Sequence, residues 1–196
     1  MCATLGSIFD QTVSKFPNKE ALVDLKKGQR WTYREWRNDV HRLANALTAA
    51  GVGKGDRVST FLFNTSELPT TLFACAKIGA IFNPINFRLK SEEVTYILND
   101  ATPKVVMFEE LLKDQVATIQ SQFPDTQFWF INEETPSFAK NYHEEVGRAQ
   151  PTNLEVEVSE TDTYAIMYTS GTTGRPKGVI LRHRDMAEQS MICTAL

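Results

Sequence analysis

Residues 168–178, Tyr-Thr-Ser-Gly-Thr-Thr-Gly-Arg-Pro-Lys-Gly, hold the densest concentration of chemistry in the chain. Gly171, Gly174 and Gly178 permit close backbone approach and positive φ, so successive amide N–H groups can converge on an anion. Thr169, Ser170, Thr172 and Thr173 supply hydroxyls that can donate to phosphate oxygens or ligate a phosphate-bound Mg²⁺. Arg175 and Lys177 add positive charge, and Pro176 stiffens the backbone between them. A ligand-free hairpin could also collect glycines and hydroxyls. The Pro-Lys-Gly terminus beside them favours an anion-binding loop.

The loop is not a Walker A sequence. That motif needs a second glycine five residues after the first, followed by Lys and Ser or Thr. Five on from Gly171 stands Pro176, and Lys177 is followed by Gly178. A Walker loop also opens a helix, whereas this one joins two strand-like runs. The Gly-x-Gly-x-x-Gly patterns of kinases and dinucleotide folds are absent as well.

Around the loop the hydrophobic pattern alternates short strand-like runs with amphipathic helices. A helix over 7–16 stops at Pro17, and strands at 21–25 and 30–33 flank the Lys-Lys-Gly-Gln turn. Thr32 and Glu35 have the spacing of a capping box. Trp36, Val40, Leu43 and Leu47 then share one face, and Gly51 ends that helix. Strands follow at 56–63, 81–84, 104–108 and 127–131, with helices at 67–77, after Ser91, and at 110–120. Glu92 and Glu93 are read as acids favoured by a helix N-terminus, not as a catalytic pair. Residues 132–160 form a connecting region around a short helix. Residues 164–168 and 178–181 are the strands on either side of the loop, making 164–183 a strand–phosphate loop–strand unit. Asp185 and Glu188 open a last helix. This rhythm predicts an α/β fold with a doubly wound, mostly parallel sheet.

Composition sets outer limits. The 196 residues carry a net charge of −3, with 42% hydrophobic and 23% charged residues. That is ordinary for a globular protein, and without a Lys/Arg-rich run it gives no support to nucleic-acid binding. The most apolar stretch, 70–84, is interrupted by Lys77 and Asn83 and predicts no membrane span. The N-terminus has no secretory pattern. Cys2, Cys75 and Cys193 are widely separated, so a reduced, cytoplasmic setting is expected, with Cys75 in the core. His41 and His143 are expected to be solvated.

The segment Tyr-Thr-Ser-Gly-Thr-Thr-Gly-Arg-Pro-Lys-Gly-Val closely resembles the signature loop of the adenylate-forming (AMP-binding) superfamily. That superfamily comprises acyl-CoA and aryl-CoA synthetases, peptide-synthetase adenylation domains and beetle luciferases. The run Leu43-Ala-Asn-Ala-Leu47, residues 51–58 and the Ala76-Lys-Ile-Gly-Ala80 run resemble its early βα units. Residues 83–89 and 96–100 look most like bacterial fatty-acyl-CoA synthetases. The resemblance implies that residues 1–196 are the N-terminal portion of an AMP-binding adenylation domain. It implies ATP, Mg²⁺ and CoA as cofactors and a carboxylate substrate, most simply a fatty acid. Residues Thr169, Ser170, Gly171, Thr172, Thr173, Gly174 and Lys177 would contact the β- and γ-phosphates. Lys177 is the implied catalytic residue, and Thr169 an implied Mg²⁺ ligand. His183 stands where many members carry a histidine, and a positioning role near the loop or pocket is favoured over proton transfer.

The superfamily's downstream acidic motif, ribose-binding aspartate, hinge and late catalytic lysine have no counterpart here, so the chain is expected to be inactive alone. Met191, Ile192, Ala195 and Leu196 form an apolar stripe without a stop signal, which suggests that the natural chain continues. Left uncovered, that stripe predicts self-association, as a homodimer or larger aggregate. Two other readings are carried. One is a stand-alone nucleotide-binding or interaction module, the other an aryl-CoA ligase or peptide-synthetase-type adenylation domain.

Overall fold

Helix starts are set by side chains that satisfy free backbone amides. In the computed structural model, which describes residues 4–169 and 175–194, Thr4 accepts from the Ser7 amide and Ser7 accepts from Thr4. This reciprocal cap starts α1 (Leu5–Lys15) two residues before the expected position. After the hairpin of β1 (Glu20–Asp24) and β2 (Gln29–Thr32), the expected capping box is present. The Thr32 amide donates to Glu35 Oε2 at 2.8 Å and the Glu35 amide to Thr32 Oγ1 at 3.3 Å. The helix that follows, α2 (Tyr33–Ala49), buries Trp36, Val40, Leu43 and Leu47. Gly51, at φ +88°, carries the chain out of it in a conformation that other residues rarely adopt.

The central sheet has seven strands: β3 (Arg57–Phe61), β4 (Ile81–Pro84), β5 (Val105–Phe108), β6 (Gln127–Phe130), β7 (Lys140–Asn141), β8 (Thr163–Thr169) and β9 (Lys177–Arg182). Their order is β7-β6-β5-β3-β4-β8-β9, with every pairing parallel except β8 with β9. Between the strands run α3 (Glu67–Ile78), α4 (Ser91–Ala101), α5 (Lys113–Ile119) and α6 (Tyr142–Gly147), and α7 (His183–Thr194) comes last.

Alternation along the strands shows that both faces are covered. Val105 and Met107 of β5 and Trp129 of β6 enter one apolar cluster, with residues of α1, α2 and α3. Val106, Phe108, Phe128 and Phe130 enter the other, with α4 and α5. A period of two feeding two separate cores is what a doubly wound sheet requires. Each fully buried large side chain in these layers contributes about 1.5–3 kcal/mol. The expected fold class is the one observed.

Three local expectations need correction. Lys90, not Ser91, precedes α4, and its amide donates to Glu93 Oε2 at 2.9 Å. Glu93 thus has a concrete capping role. At α7 the Arg182 amide donates to Asp185 Oδ2 at 3.0 Å, so the helix begins at His183, ahead of Asp185. His41 is buried rather than solvated, because the segment after α6 folds back across α2. Arg42 donates to the Ala149 carbonyl, Asn45 to the Thr152 carbonyl, and His41 Nδ1 lies 3.4 Å from the Pro151 carbonyl. His143 is exposed, as expected.

β8 meets the sheet at a thin seam. Its parallel ladder to β4 has one pair, Phe82 with Ala165. Asn83, fully buried, reinforces it: its amide donates to the Ile166 carbonyl at 2.9 Å and its Oδ1 accepts from Ser59 of β3 at 2.7 Å. One side chain therefore ties three strands together. Asn83→Ala should lower the unfolding free energy by about 1–3 kcal/mol, since it strands the buried Ser59 hydroxyl and removes the part-buried bond to the Ile166 carbonyl. Urea denaturation checks this, and a loss below about 0.5 kcal/mol would mean that the seam holds without Asn83.

Candidate phosphate-binding site

The strands that carry the loop are rich in β-branched and aromatic residues, Thr-Tyr-Ala-Ile-Met-Tyr-Thr in β8 and Val179-Ile180-Leu181 within β9. They pair antiparallel with Tyr168 opposite Gly178 and Thr169 opposite Lys177. Two residues expected to contact phosphate, Thr169 and Lys177, therefore face each other across the base of the loop. Both are exposed. Ser170, Gly171, Thr172, Thr173 and Gly174 lie outside the described residues.

Lys177 makes no ion pair among the described residues. Several lysines elsewhere are committed: Lys54 to Asp162, Lys77 to Asp10, Lys104 to Asp56. A cation left without an acid at a strand end is suited to an incoming anion. Gly178 explains why the flanks can close. A Cβ there would come 2.9 Å from Ile166 Cγ2 and 3.3 Å from the Tyr168 ring, so only glycine fits the unshifted hairpin.

The loop leaves β8 at the carboxyl end of a strand parallel to β4, the side where doubly wound sheets take ligands. Its flanks also reach α4. The Tyr168 hydroxyl donates to the Asp100 carboxylate, and the Arg175 guanidinium lies 5.7 Å from the Tyr96 ring centroid. Burial, then the bond to Asp100, pushes the Tyr168 phenol well above its usual range, so it remains a donor. The sequence reading missed both α4 residues as neighbours of the loop. The segment 96–100 had drawn notice only for its family likeness, and nothing local shows that its Tyr and Asp meet residues about 70 to 80 positions later.

His183 is fully buried at the start of α7. Its Nδ1 accepts from the Leu5 amide at 3.3 Å, which leaves the proton on Nε2, and its ring lies 5.5 Å from that of Tyr164. Nε2 has no hydrogen-bond partner among the described residues. His183 thus anchors the N-terminus of α1 against α7 and β8, and its contacts among the described residues run to Leu5 and Tyr164 rather than to the loop. Among the described residues, no group of three or more His, Cys, Asp or Glu side chains could hold a metal. Cys75 is a buried free thiol, pushed up by burial, as a core cysteine should be.

Burial holds His183 below the usual histidine range, with Asp162 opposing and Lys54 reinforcing the shift. Burial and then Lys77 lower His41 similarly. A depressed folded pKa means that the unfolded chain takes up protons first as pH falls. Stability from these histidines is complete above about pH 6.5 and is lost below it. Urea midpoints measured at pH 7.5 and 5.5 should fall toward acid, and His183→Asn should reduce that fall. An equal fall in the variant would contradict the assignment.

Against known proteins, the family described as "AMP-binding enzyme" matches residues 9–195. A long-chain-fatty-acid–CoA ligase of Thermus thermophilus is 36% identical over 191 residues, 95% of this chain and 35% of that protein. The long-chain-fatty-acid–CoA ligase FadD13 of Mycobacterium tuberculosis is 34% identical over 184 residues, 93% of this chain and 35% of its own length. The crystal structure of the anthranilate CoA ligase AuaEII in complex with anthranoyl-AMP superposes with a TM-score of 0.91 at 27% identity. It covers 97% of this chain and 36% of that one. The chain thus spans about a third of the length of the relatives it matches.

Proposed function

Because the chain belongs to the AMP-binding enzyme family, we propose that it supplies the phosphate-gripping part of an acid–thiol ligase. The observation that carries this reading is the facing pair Thr169 and Lys177, with Lys177 free of ion pairs among the described residues at the mouth of a glycine-rich loop. In the proposed reaction a carboxylate attacks the α-phosphorus of ATP, pyrophosphate leaves, and the CoA thiol then displaces AMP from the acyl-adenylate.

The work assigned to this chain is electrostatic. Charge accumulates on the departing pyrophosphate, and a fixed ammonium beside it lowers the barrier more than it favours the ground state. Lys177 is the proposed catalytic residue in that sense. The Thr169 hydroxyl, with Ser170, Thr172, Thr173 and the amides of Gly171 and Gly174, is assigned to the β- and γ-phosphate oxygens. With no acidic cluster among the described residues, Mg²⁺ would be held by the Thr169 hydroxyl together with phosphate oxygens and water. The ion's contribution is charge neutralisation across the phosphates.

The substrate is assigned as a fatty acid from the likeness to the two fatty-acid ligases. An aryl carboxylate is the second reading, favoured by the close backbone match to the anthranilate ligase. No helix among the described residues is long and apolar enough to cross a membrane, and a cytoplasmic setting is the proposal that goes with CoA chemistry and a free thiol. Val179 and Ile180 lie exposed on the edge strand β9, which supports the expected self-association. The apolar stripe at 191–196 lies beyond the described side chains.

Turnover is not expected from the 196 residues alone. In a chain extended to the length of the relatives, Lys177→Ala should slow ATP–pyrophosphate exchange by about one to three orders of magnitude. An unchanged exchange rate would remove Lys177 from the mechanism. A panel of fatty and aryl acids in the same assay separates the two substrate readings.

A further inference from the structure

Two residues of α4 stand one helical turn apart and touch opposite flanks of the loop. Tyr96 and Asp100 are spaced i, i+4, so they share a helix face. Asp100 accepts from the hydroxyl of Tyr168, the residue just before Thr169. Tyr96 presents its ring to Arg175, two residues before Lys177, at a distance within the range of cation–π attraction. The end of α4 is itself pinned to the sheet: Arg57 of β3 donates to the Ala101 carbonyl and, at 2.9 Å, to the Thr102 carbonyl.

The types of contact matter as much as their places. A carboxylate beside Arg175 would hold it by cancelling its charge. An aromatic face holds it and leaves the positive charge in place. Among the described residues Arg175 makes no ion pair, and neither does Lys177. Among the described residues the acid that reaches a flank, Asp100, is occupied by the Tyr168 hydroxyl on the opposite side. The arrangement fixes both ends of the loop while its two cations stay free for an anion.

We propose that Tyr96 and Asp100 are positioning residues that clamp the two flanks of the loop to α4 and so set the spacing at which it receives a polyphosphate. The functional half of this statement rests on the phosphate-binding reading above; the clamp itself does not.

Hydrogen–deuterium exchange on the 196-residue chain tests the clamp without ligand. Tyr96→Leu and Asp100→Ala should each speed exchange in a peptide spanning 169–178 by about tenfold. Exchange in β5 should stay unchanged. Tyr96→Phe and Asp100→Asn, which keep the aromatic face and an acceptor oxygen, should restore the original rates. Unchanged exchange in both truncated variants overturns the clamp, and so does an acceleration shared equally with β5, which would mean general loosening. Titrating the same proteins with magnesium tripolyphosphate should show binding to the unmodified chain, weakened about threefold in the truncated variants. Absence of binding to the unmodified chain would count against the phosphate-binding reading, while the exchange rates would still decide the clamp.

Discussion

Asn83 is the side chain on which the position of the loop depends. β8 joins the parallel sheet through one ladder pair, Phe82 with Ala165. The amide of Asn83, carried on β4 and braced by Ser59 of β3, adds the hydrogen bond to Ile166 that this short ladder lacks. In a dry interior such a bond is costly to leave half-made. It therefore specifies one register for β8, and through β8 the places of Tyr168 and Thr169. β9 is aligned in turn by its antiparallel ladder to β8, which brings Lys177 opposite Thr169. A buried polar thread through three strands thus sets the geometry of an exposed pair three residues beyond Ile166.

Charge is distributed to the same end. Several lysines are neutralised by a nearby acid, as Lys54, Lys77 and Lys104 are. Partly exposed pairs such as Lys54–Asp162 and Lys104–Asp56 contribute little to stability, so leaving the exposed Lys177 unpaired costs the fold almost nothing. For an anion the difference is large, because an ammonium already engaged with a carboxylate must give it up before binding. The hydrophobic layers on both faces supply a stiff support. With α1, α2 and α3 on one face and α4 and α5 on the other, the flanks of the loop are held by elements with no direct part in the chemistry.

Much of this was legible in the sequence because it is written locally. The Thr32–Glu35 box, the apolar stripe of α2, the strand at 81–84 and the strand–loop–strand unit follow from spacings of two to four residues. What the sequence hid depends on contacts between distant segments. His41 looked solvated because nothing near it in the chain shows that residues 149–152 return across α2. Asn83 appeared as a polar interruption of an apolar run and as part of a family likeness, and neither shows that its polarity ties β3, β4 and β8 together. Tyr96 and Asp100 read as ordinary helix residues until the fold brought them to Arg175 and Tyr168. The starts of α4 and α7 were misplaced for a smaller reason. Ser91 and Asp185 are good capping residues by type, but the actual bonds run to Glu93 from the Lys90 amide and to Asp185 from the Arg182 amide.

The central claim is that a polyphosphate is received between the ends of β8 and β9. The most direct measurement is an amide nitrogen–proton NMR titration of the chain with MgATP. If a polyphosphate binds there, saturable shifts are expected in residues 169–178, with weaker ones in the adjoining Tyr96 and Asp100 region and none in β5 or β6. Shifts centred on any other surface, or none at millimolar MgATP, would contradict it.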